Sequence, residues 1–316
     1  MELGHLAHNV VYWGNHTAAN LCFIKPSSAQ SMCFKTLLRK FPAASALLAF
    51  RANGEPVPQP ALTGAGFLIA IQCWSFKEFT LFEAIKMAAA AGVGGIEVYP
   101  GQKLGGNHGA VKFGTDLTDR EIQSLLDHLK KHHLAVLNFG VTEIPKNETD
   151  ARTTFELARK LGLYGITTES LGSLDTIEKL AAEYDIKVCF HNHPKPTALW
   201  HPDILWNAIE GRHKNMGFCA DIGHWASSGL APLIVIGKIA SRVHSFHLKD
   251  RASLVEPSRD QPLGTGVIEI PAILDEVRKH GFAGNVSIEY EFNWKTNLPD
   301  ISQCVGYLRA YSKLRA

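Results

Sequence analysis

Apolar and polar positions follow a regular pattern from about residue 60 to the end of the chain. Short runs rich in Val, Ile and Phe alternate with longer stretches in which apolar residues recur every three or four positions, which predicts alternating strands and helices. The eight predicted strands are Phe67–Trp74, Gly95–Tyr99, Ala135–Val141, Tyr164–Glu169, Lys187–His193, Met216–Asp221, Val243–Asp250 and Asn285–Phe292. The eight predicted helices are Thr80–Ala91, Asp119–His132, Glu148–Leu161, Leu174–Tyr184, His201–Ile209, Pro232–Ser241, Ile270–His280 and Asp300–Leu314. Because this alternation over roughly 250 residues is typical of a parallel (β/α)₈ TIM barrel, we predict that α/β fold.

A doubly wound parallel sheet is the alternative fold for the same alternation of strands and helices. In its dinucleotide-binding form, a Gly-x-Gly-x-x-Gly sequence follows the first strand and cradles the pyrophosphate. No such sequence follows Trp74. The missing fingerprint therefore favours the barrel.

The first 60 residues lack the periodicity of the remainder and are predicted to form an N-terminal extension outside the barrel of residues 61–316. Within this extension, residues 32–52 pass from a basic segment to a short apolar segment, and a polar Pro-rich segment follows. That order is typical of a secretory signal and the start of a mature chain. If the segment is a signal, the protein is periplasmic or secreted, and residues 1–31 precede the true start. Otherwise the extension is a loosely packed arm and the protein is cytoplasmic.

Composition excludes several broad classes of protein. Hydrophobic residues make up 46% of the chain and charged residues 20%, which is typical of a globular protein with a large core. No apolar run reaches the roughly 20 residues that span a bilayer. The formal net charge of +2 argues against a surface that mainly binds nucleic acid. Six scattered cysteines without a Cys-x-x-Cys pair exclude a cysteine-based zinc ribbon.

Polar side chains collect on one face of the predicted strands, toward their C-terminal ends. His191 and His193 share a face of the fifth strand, and Asp221 shares a face with Cys219 on the sixth. Parallel strands buried on both sides are usually continuous runs of aliphatic residues. Because barrel enzymes build their active sites at the C-terminal ends of the strands, this pattern predicts a site at that mouth.

Four of these residues have the chemistry of metal ligands: His191, Asp221, His247 and Glu289 lie near the ends of strands five to eight, on the interior face. Two imidazoles and two carboxylates suit Mn²⁺, Co²⁺, Zn²⁺ or Mg²⁺, and the ligand types alone do not choose among them. The alternative is a set of buried, hydrogen-bonded residues without metal. Because unpaired charges are costly to bury, we favour a divalent metal site.

Other residues are predicted to surround the ion or to contact a substrate. His224, three positions after Asp221, could bind a second ion or orient the substrate. Aromatic rings and a few charged groups suit a sugar, which has an apolar C–H face and a polar rim. Simple core packing is the alternative for each aromatic residue. The predicted substrate-binding residues are Trp74, Glu97, Tyr99, Lys195, His224, Trp225 and Lys249.

Six short motifs together resemble one known superfamily over about residues 67–312. They are Ile-Gln-Cys-Trp-Ser-Phe, Gly-Ile-Glu-Val-Tyr, His-Asn-His-Pro, Ala-Asp-Ile-Gly-His-Trp, His-Leu-Lys-Asp and Ser-Ile-Glu-Tyr-Glu. The chain resembles the sugar phosphate isomerase/epimerase superfamily, also described as the xylose isomerase-like barrel, to which the family 2 apurinic endonucleases belong. The resemblance implies one divalent metal held by ligands from strands five to eight, commonly Glu, Asp, His and Glu. Asp221, His247 and Glu289 match the last three, whereas His191 occupies the first position.

This departure affects the chemistry that the resemblance implies. In the family's epimerases, two metal-bound carboxylates exchange the proton on the carbon next to a carbonyl, while the metal stabilises the enediolate. With His191 in the first position, Glu289 is the remaining carboxylate of that pair. Glu169 and His193 are the candidates for a further base. The catalytic residues are thus predicted among Glu169, His193 and Glu289.

The leading hypothesis is a divalent-metal-dependent isomerase or epimerase that abstracts a proton next to the carbonyl of a small sugar or keto sugar. A keto-sugar lyase or hydratase of the 3-keto-glycoside type is the alternative, because some relatives with a His-x-His-Pro fifth strand have that chemistry. The chain has no Gly-rich phosphate loop, so an unphosphorylated sugar remains open. A DNA repair enzyme and a non-catalytic sugar-binding barrel are less favoured. No nucleic-acid or membrane partner is expected, and a homo-oligomer is left open.

Overall fold

A closed barrel of eight parallel strands forms the centre of the structure, a computed structural model that describes residues 60–316. The strands are β1 Leu68–Gln72, β2 Gly95–Val98, β3 Ala135–Thr142, β4 Gly165–Thr168, β5 Lys187–His191, β6 Met216–Asp221, β7 Val243–Leu248 and β8 Asn285–Ile288. Each strand pairs with its neighbours in sequence, and β1 closes the barrel against β8 with Leu68 opposite Asn285. The predicted TIM barrel is confirmed. The predictions for residues 1–59, including the signal-like segment, lie outside the described residues.

Helices cover the outside of the barrel. They are α1 Leu81–Ala91, α2 Asp119–Lys131, α3 Glu148–Leu161, α4 Leu174–Tyr184, α5 Pro202–Ile209, α6 Ile222–Ser227, α7 Pro232–Ile239, α8 Ile270–Lys279 and α9 Leu298–Leu314. Helices α1 and α2 begin with capping boxes, in which Thr80 pairs with Glu83 and Thr118 pairs with Glu121. Such reciprocal bonds satisfy the free N–H groups of a first turn.

Helix α6 was not predicted from the sequence, and several strands end earlier than predicted. Helix α6 starts directly after β6 because the Asp221 carboxylate accepts the backbone N–H of His224 at 2.8 Å, as a helix N-cap does. Six residues are too few to show a helical period. Strands β4, β5, β7 and β8 end before the predicted residues. As a result, Glu169, His193, Lys249 and Glu289 lie just beyond the strands, at the barrel mouth.

Two apolar clusters hold the barrel together. Leu68, Ala70, Ala135 and Leu137 form a small cluster of their own, and Leu68 and Ala70 share the face of β1 that carries Gln72. We therefore place this cluster inside the barrel, below the polar residues. The larger cluster lies between the strands and the helices and includes the buried rings of Phe190, Phe218 and Phe246.

Asp250 organises the segment between β7 and α8. This segment contains a small antiparallel sheet formed by Asp250–Arg251 and Asp260–Gln261. The buried Asp250 carboxylate accepts the backbone N–H groups of Gly264, Gly266 and Ile268 at 2.9–3.0 Å. It therefore fixes the segment that leads into α8. Among the described residues, no helix is both long and apolar enough to cross a membrane.

Asp250→Ala is expected to lower the free energy of unfolding by about 2–4 kcal/mol, because it leaves these N–H groups without an acceptor. Urea unfolding measures the change. Asp127→Ala is the matched control, since Asp127 is exposed on α2 and accepts a hydrogen bond from Gln123. Equal stabilities of the two variants would show that Asp250 does not hold the segment.

Candidate active site

The four predicted metal ligands come together at the C-terminal mouth of the barrel. His191 ends β5, Asp221 ends β6, His247 lies in β7 and Glu289 follows β8. One ligand atom from each lies within 4.8 Å of the others, and all four side chains are buried. The alternation of strand side chains therefore brings together four residues that are far apart in sequence.

A hydrogen bond from Glu169 orients the ring of His191. The Nδ1 of His191 lies 2.9 Å from Glu169 Oε1, and its Nε2 lies 3.5 Å from Asp221 Oδ2. Because an ionised carboxylate only accepts hydrogen bonds, Nδ1 carries the proton and the Nε2 lone pair points into the site. A carboxylate behind a metal-binding imidazole commonly has this role.

Glu97 orients the ring of His247 through a hydrogen bond to Nε2, whereas Glu169 orients His191 through Nδ1. The Nε2 of His247 lies 3.0 Å from Glu97 Oε1, and its Nδ1 lies 3.2 Å from Glu289 Oε2. Glu97 also accepts hydrogen bonds from the hydroxyl groups of Thr167 and Ser287, each at 2.6 Å. Glu97 is 0% exposed, so the prediction that it contacts substrate is wrong for this structure. Its side chain points into the barrel interior, where the carboxylate is hydrogen-bonded to His247, Thr167 and Ser287.

The hydrogen bonding of three inward-facing atoms indicates whether a metal ion fits this centre. His191 Nε2, Asp221 Oδ2 and His247 Nδ1 are buried and make no hydrogen bond, although Asp221 Oδ2 forms an ion pair with Lys249 Nζ at 3.0 Å. Buried polar atoms are nearly always satisfied, and each orphan costs about 1–3 kcal/mol. A divalent cation would coordinate all three together with Glu289, and the nitrogen and oxygen donors suit such an ion. The residues therefore fit a divalent metal.

The local electrostatics also favour positive charge at this position. The buried Lys249 ammonium lies 3.0 Å from Asp221, 2.9 Å from Glu289 and 2.6 Å from Glu291, so three carboxylates face one cation. Burial opposes ionisation of Glu289, but Lys249 and His247 outweigh it and hold the pKa of that carboxyl well below its usual range. Burial likewise opposes protonation of His247, but Cys219 and Glu97 raise its pKa well above the ordinary value.

His193 and Glu169 form a hydrogen-bonded pair beside the metal-fitting centre. The Nδ1 of His193 lies 2.5 Å from the same Glu169 oxygen that contacts His191. Burial opposes ionisation of Glu169, but the bonds from the two imidazoles outweigh it and lower its pKa to about 2. The bond to Glu169 raises the pKa of His193. The His193 side chain is 44% exposed, so its ring is accessible from the mouth.

The predicted substrate-binding residues divide into two groups. Trp74 is 38% exposed and contacts Tyr99 edge to face at 5.1 Å, and the Lys195 ammonium lies 4.1 Å from the centre of the Trp200 ring. These residues are accessible. Trp225 is 0% exposed and belongs to the core, which corrects its predicted position. Because α6 starts immediately after Asp221, Trp225 lies on the buried face of that helix.

His224 and Lys249, the remaining predicted substrate-binding residues, lie beside the metal-fitting centre. The His224 ring contacts those of His191 and His193, and its Nε2 lies 3.3 Å from Lys249 Nζ. Burial lowers the pKa of His224 to about 3 despite the neighbouring Asp221. The imidazole is therefore neutral and accepts a hydrogen bond from Lys249.

Two further residues at the site, Glu291 and Trp294, were not predicted from the sequence. Glu291 accepts hydrogen bonds from Trp74 and Lys249, and the Trp294 ring lies 6.5 Å from that of Trp74. In Ser-Ile-Glu-Tyr-Glu, Glu291 has the same strand parity as Glu289, which was a usable signal. Trp294 lies in the loop before α9, where no periodicity predicts the direction of a side chain.

Glu97→Gln is expected to weaken divalent metal binding by roughly 10- to 100-fold, the usual cost of losing the carboxylate behind a ligand histidine. The fold should persist, because the carboxamide keeps the same shape. Calorimetric titration of metal-free protein with Zn²⁺ or Mn²⁺ measures the change. Unaltered affinity would mean that Glu97 does not set the orientation of His247.

Comparison with known proteins identifies the family. Residues 85–310 match the model of the xylose isomerase-like TIM barrel. A solved structure of an uncharacterised protein from Parabacteroides distasonis is 31% identical and covers 78% of this chain and 99% of that chain, with a TM-score of 0.64. An inosose dehydratase from Clostridium beijerinckii is 23% identical over 251 residues, which are 68% of this chain and 83% of the dehydratase.

A further relative matches only part of the chain. A 2,3-bisphosphoglycerate-independent phosphoglycerate mutase from Methanopyrus kandleri is 27% identical over 137 residues, and the chain covers 32% of that enzyme's length. The family match, in contrast, extends over most of the barrel. It confirms the resemblance carried by the six motifs. The chain belongs to the xylose isomerase-like TIM barrel family.

Proposed function

We propose that the protein is a divalent-metal-dependent enzyme that removes the proton next to the carbonyl of a keto sugar or similar small polyol, with loss of a neighbouring hydroxyl as the favoured outcome. One observation carries this proposal: three buried ligand atoms that make no hydrogen bond converge beside an accessible imidazole, His193, which is hydrogen-bonded to a carboxylate. A metal-fitting centre and a positioned base are what α-proton removal requires.

The side chains around this centre have separate roles in the proposed reaction. His191, Asp221, His247 and Glu289 would hold the ion, which when bound supplies Lewis-acid polarisation of the substrate carbonyl. His193 takes the α-proton at Nε2, since its Nδ1 proton is bonded to Glu169. Glu169 fixes that tautomer and balances the charge of the imidazolium, as the carboxylate of a catalytic triad does.

Lys249 is the group best suited to act on the departing hydroxyl. Its pKa is raised well above the ordinary value, because the effect of Asp221 and Glu289 outweighs that of burial. The ammonium therefore keeps its proton and can donate a hydrogen bond to the leaving oxygen. His193 accepts the α-proton and then returns a proton to the departing hydroxyl, while the Lys249 ammonium donates a hydrogen bond to that oxygen. The hydroxyl therefore leaves as water, and the overall reaction is a β-elimination with no net change in protonation.

The identity of the first ligand favours elimination over epimerisation. An epimerase needs a base on each face of the carbon, and family epimerases use two ligand carboxylates. Here His191 occupies one of those positions, and its Nδ1 is bonded to Glu169. The likeness to inosose dehydratase over 68% of the chain also supports a dehydrating reaction. An isomerase or epimerase is the second candidate, because the carboxylate of Glu289 is retained.

Incubation of the metal-loaded protein with a panel of keto sugars, keto polyols and their glycosides in D₂O tests this proposal. Mass spectrometry and NMR should show deuterium next to the carbonyl and a product that has lost one water. A product of unchanged formula with one incorporated deuterium would support the isomerase or epimerase instead. The absence of both deuterium uptake and product across the panel would contradict the proposed function.

A further inference from the structure

Glu291 connects two groups that face the barrel mouth. Its Oε1 accepts a hydrogen bond from the indole N–H of Trp74 at 3.0 Å, and its Oε2 accepts one from Lys249 Nζ at 2.6 Å. The Glu291 side chain is 28% exposed, so the carboxylate lies at the edge of the site. One carboxylate thus fixes both an aromatic ring and an ammonium.

Glu291 is itself held in place by the segment that follows β7. Its backbone N–H donates to Asp260 Oδ2 at 2.7 Å, and Arg251 donates to the other oxygen of Asp260 at 2.9 Å. Asp260 is buried. Glu291 is also absent from the four-residue group whose ligand atoms converge. It is therefore a supported residue next to the metal-fitting centre and not a member of it.

Lys249 needs such a partner, because a lysine stem is flexible and its ammonium behaves as a point charge. Asp221 and Glu289 attract the ammonium toward the ligand carboxylates, at 3.0 and 2.9 Å. Glu291 makes the shortest of the three contacts. Because this contact is also a charge-assisted hydrogen bond, Glu291 has a large share in setting the direction of Lys249.

We propose that Glu291 is a positioning residue that aligns the Lys249 ammonium and the Trp74 ring on the same bound sugar. The inference rests on the proposed function. A sugar presents an apolar C–H face, which suits the indole ring, and hydroxyl oxygens, which suit the ammonium. By fixing both groups, one carboxylate couples recognition of the apolar face to activation of the leaving hydroxyl.

Glu291→Gln tests this role, because a carboxamide keeps the shape but cannot accept from both donors as a carboxylate does. We expect kcat/KM to fall by about 10- to 100-fold, with a higher KM through Trp74 and a lower kcat through Lys249. Metal content and Tm should match those of Glu256→Gln. Glu256 is a suitable control because it bonds Arg251 in the same segment. Loss of metal in Glu291→Gln alone would overturn the proposal.

Double-mutant cycles separate positioning from a general structural effect. In a Lys249→Met background, Glu291→Gln should no longer lower kcat. In a Trp74→Phe background, which keeps an aromatic ring but removes the indole N–H, it should no longer raise KM. Effects that simply add in both backgrounds would overturn the proposal.

An NMR measurement on the protein without sugar tests the Glu291–Trp74 contact separately from the proposed function. In protein with ¹⁵N-labelled tryptophan, Trp74→Phe identifies the indole N–H resonance of Trp74. Glu291→Gln should shift that resonance, whereas Glu256→Gln should not. An unshifted resonance would overturn the contact even if the wild-type enzyme turns over keto sugars. A shifted resonance in an enzyme that turns over no sugar would count against the proposed function alone.

Discussion

Asp221→Asn protein is expected to lose its divalent ion and to show activity reduced by roughly 10³-fold or more, because Lewis-acid catalysis contributes several kcal/mol. Asparagine still caps α6, since its side-chain oxygen can accept the His224 N–H that Asp221 accepts. It lacks the negative charge that the ion requires. Elemental analysis of purified protein, together with turnover of the best substrate, measures both effects.

Asp175→Asn is the matched control for this substitution. Asp175 is exposed in the first turn of α4 and pairs with Arg212 on the surface. Its replacement should leave metal content and turnover unchanged. Full metal content in Asp221→Asn protein would remove Asp221 from the ligand set.

His193→Asn is expected to lower turnover by about 10²- to 10⁴-fold, the usual contribution of a general base. Metal content should stay unchanged, because His193 lies outside the group formed by His191, Asp221, His247 and Glu289. The rate of deuterium uptake from solvent measures the proton-transfer step directly. His280→Asn is the control, since His280 lies on the surface near Glu276.

Glu169→Gln should behave differently from His193→Asn. Glu169 is bonded to both His191 and His193, so its loss should weaken metal binding as well as slow proton transfer. This outcome separates a residue that holds two imidazoles from a residue that takes the proton itself. If Glu169→Gln keeps full metal affinity and alone abolishes deuterium uptake, Glu169 is the base.

The order of strands and helices could be predicted because the two kinds of element have different periods of apolar residues. All eight barrel strands were found, and so were the eight longer helices. Helix α6 was not found, because it depends on a cap supplied by Asp221, a residue that also ends a strand. Strand ends near the mouth were also misplaced, because polar side chains such as Glu169 follow the strand pattern after the backbone has left the sheet.

The convergence of the candidate ligands followed from strand parity, but their orientation did not. His247 is oriented by Glu97, which is 150 positions away in sequence. Strand parity places Glu97 and Tyr99 on the same inner face, but it does not indicate that Glu97 contacts Thr167 and Ser287 while Tyr99, two residues later, lies near the mouth. Trp225 was misplaced for a similar reason, because the start of α6 decides which of its residues face the core.

Anomalous diffraction from crystals of the wild-type protein grown with Mn²⁺ or Zn²⁺ tests the central claim most directly. We expect one strong peak per chain, within bonding distance of His191 Nε2, Asp221 Oδ2, His247 Nδ1 and a Glu289 carboxylate oxygen. Those bonds would satisfy the three buried atoms that lack hydrogen-bond partners. A peak elsewhere, or none at saturating metal concentration, would contradict the metal centre and the chemistry built on it.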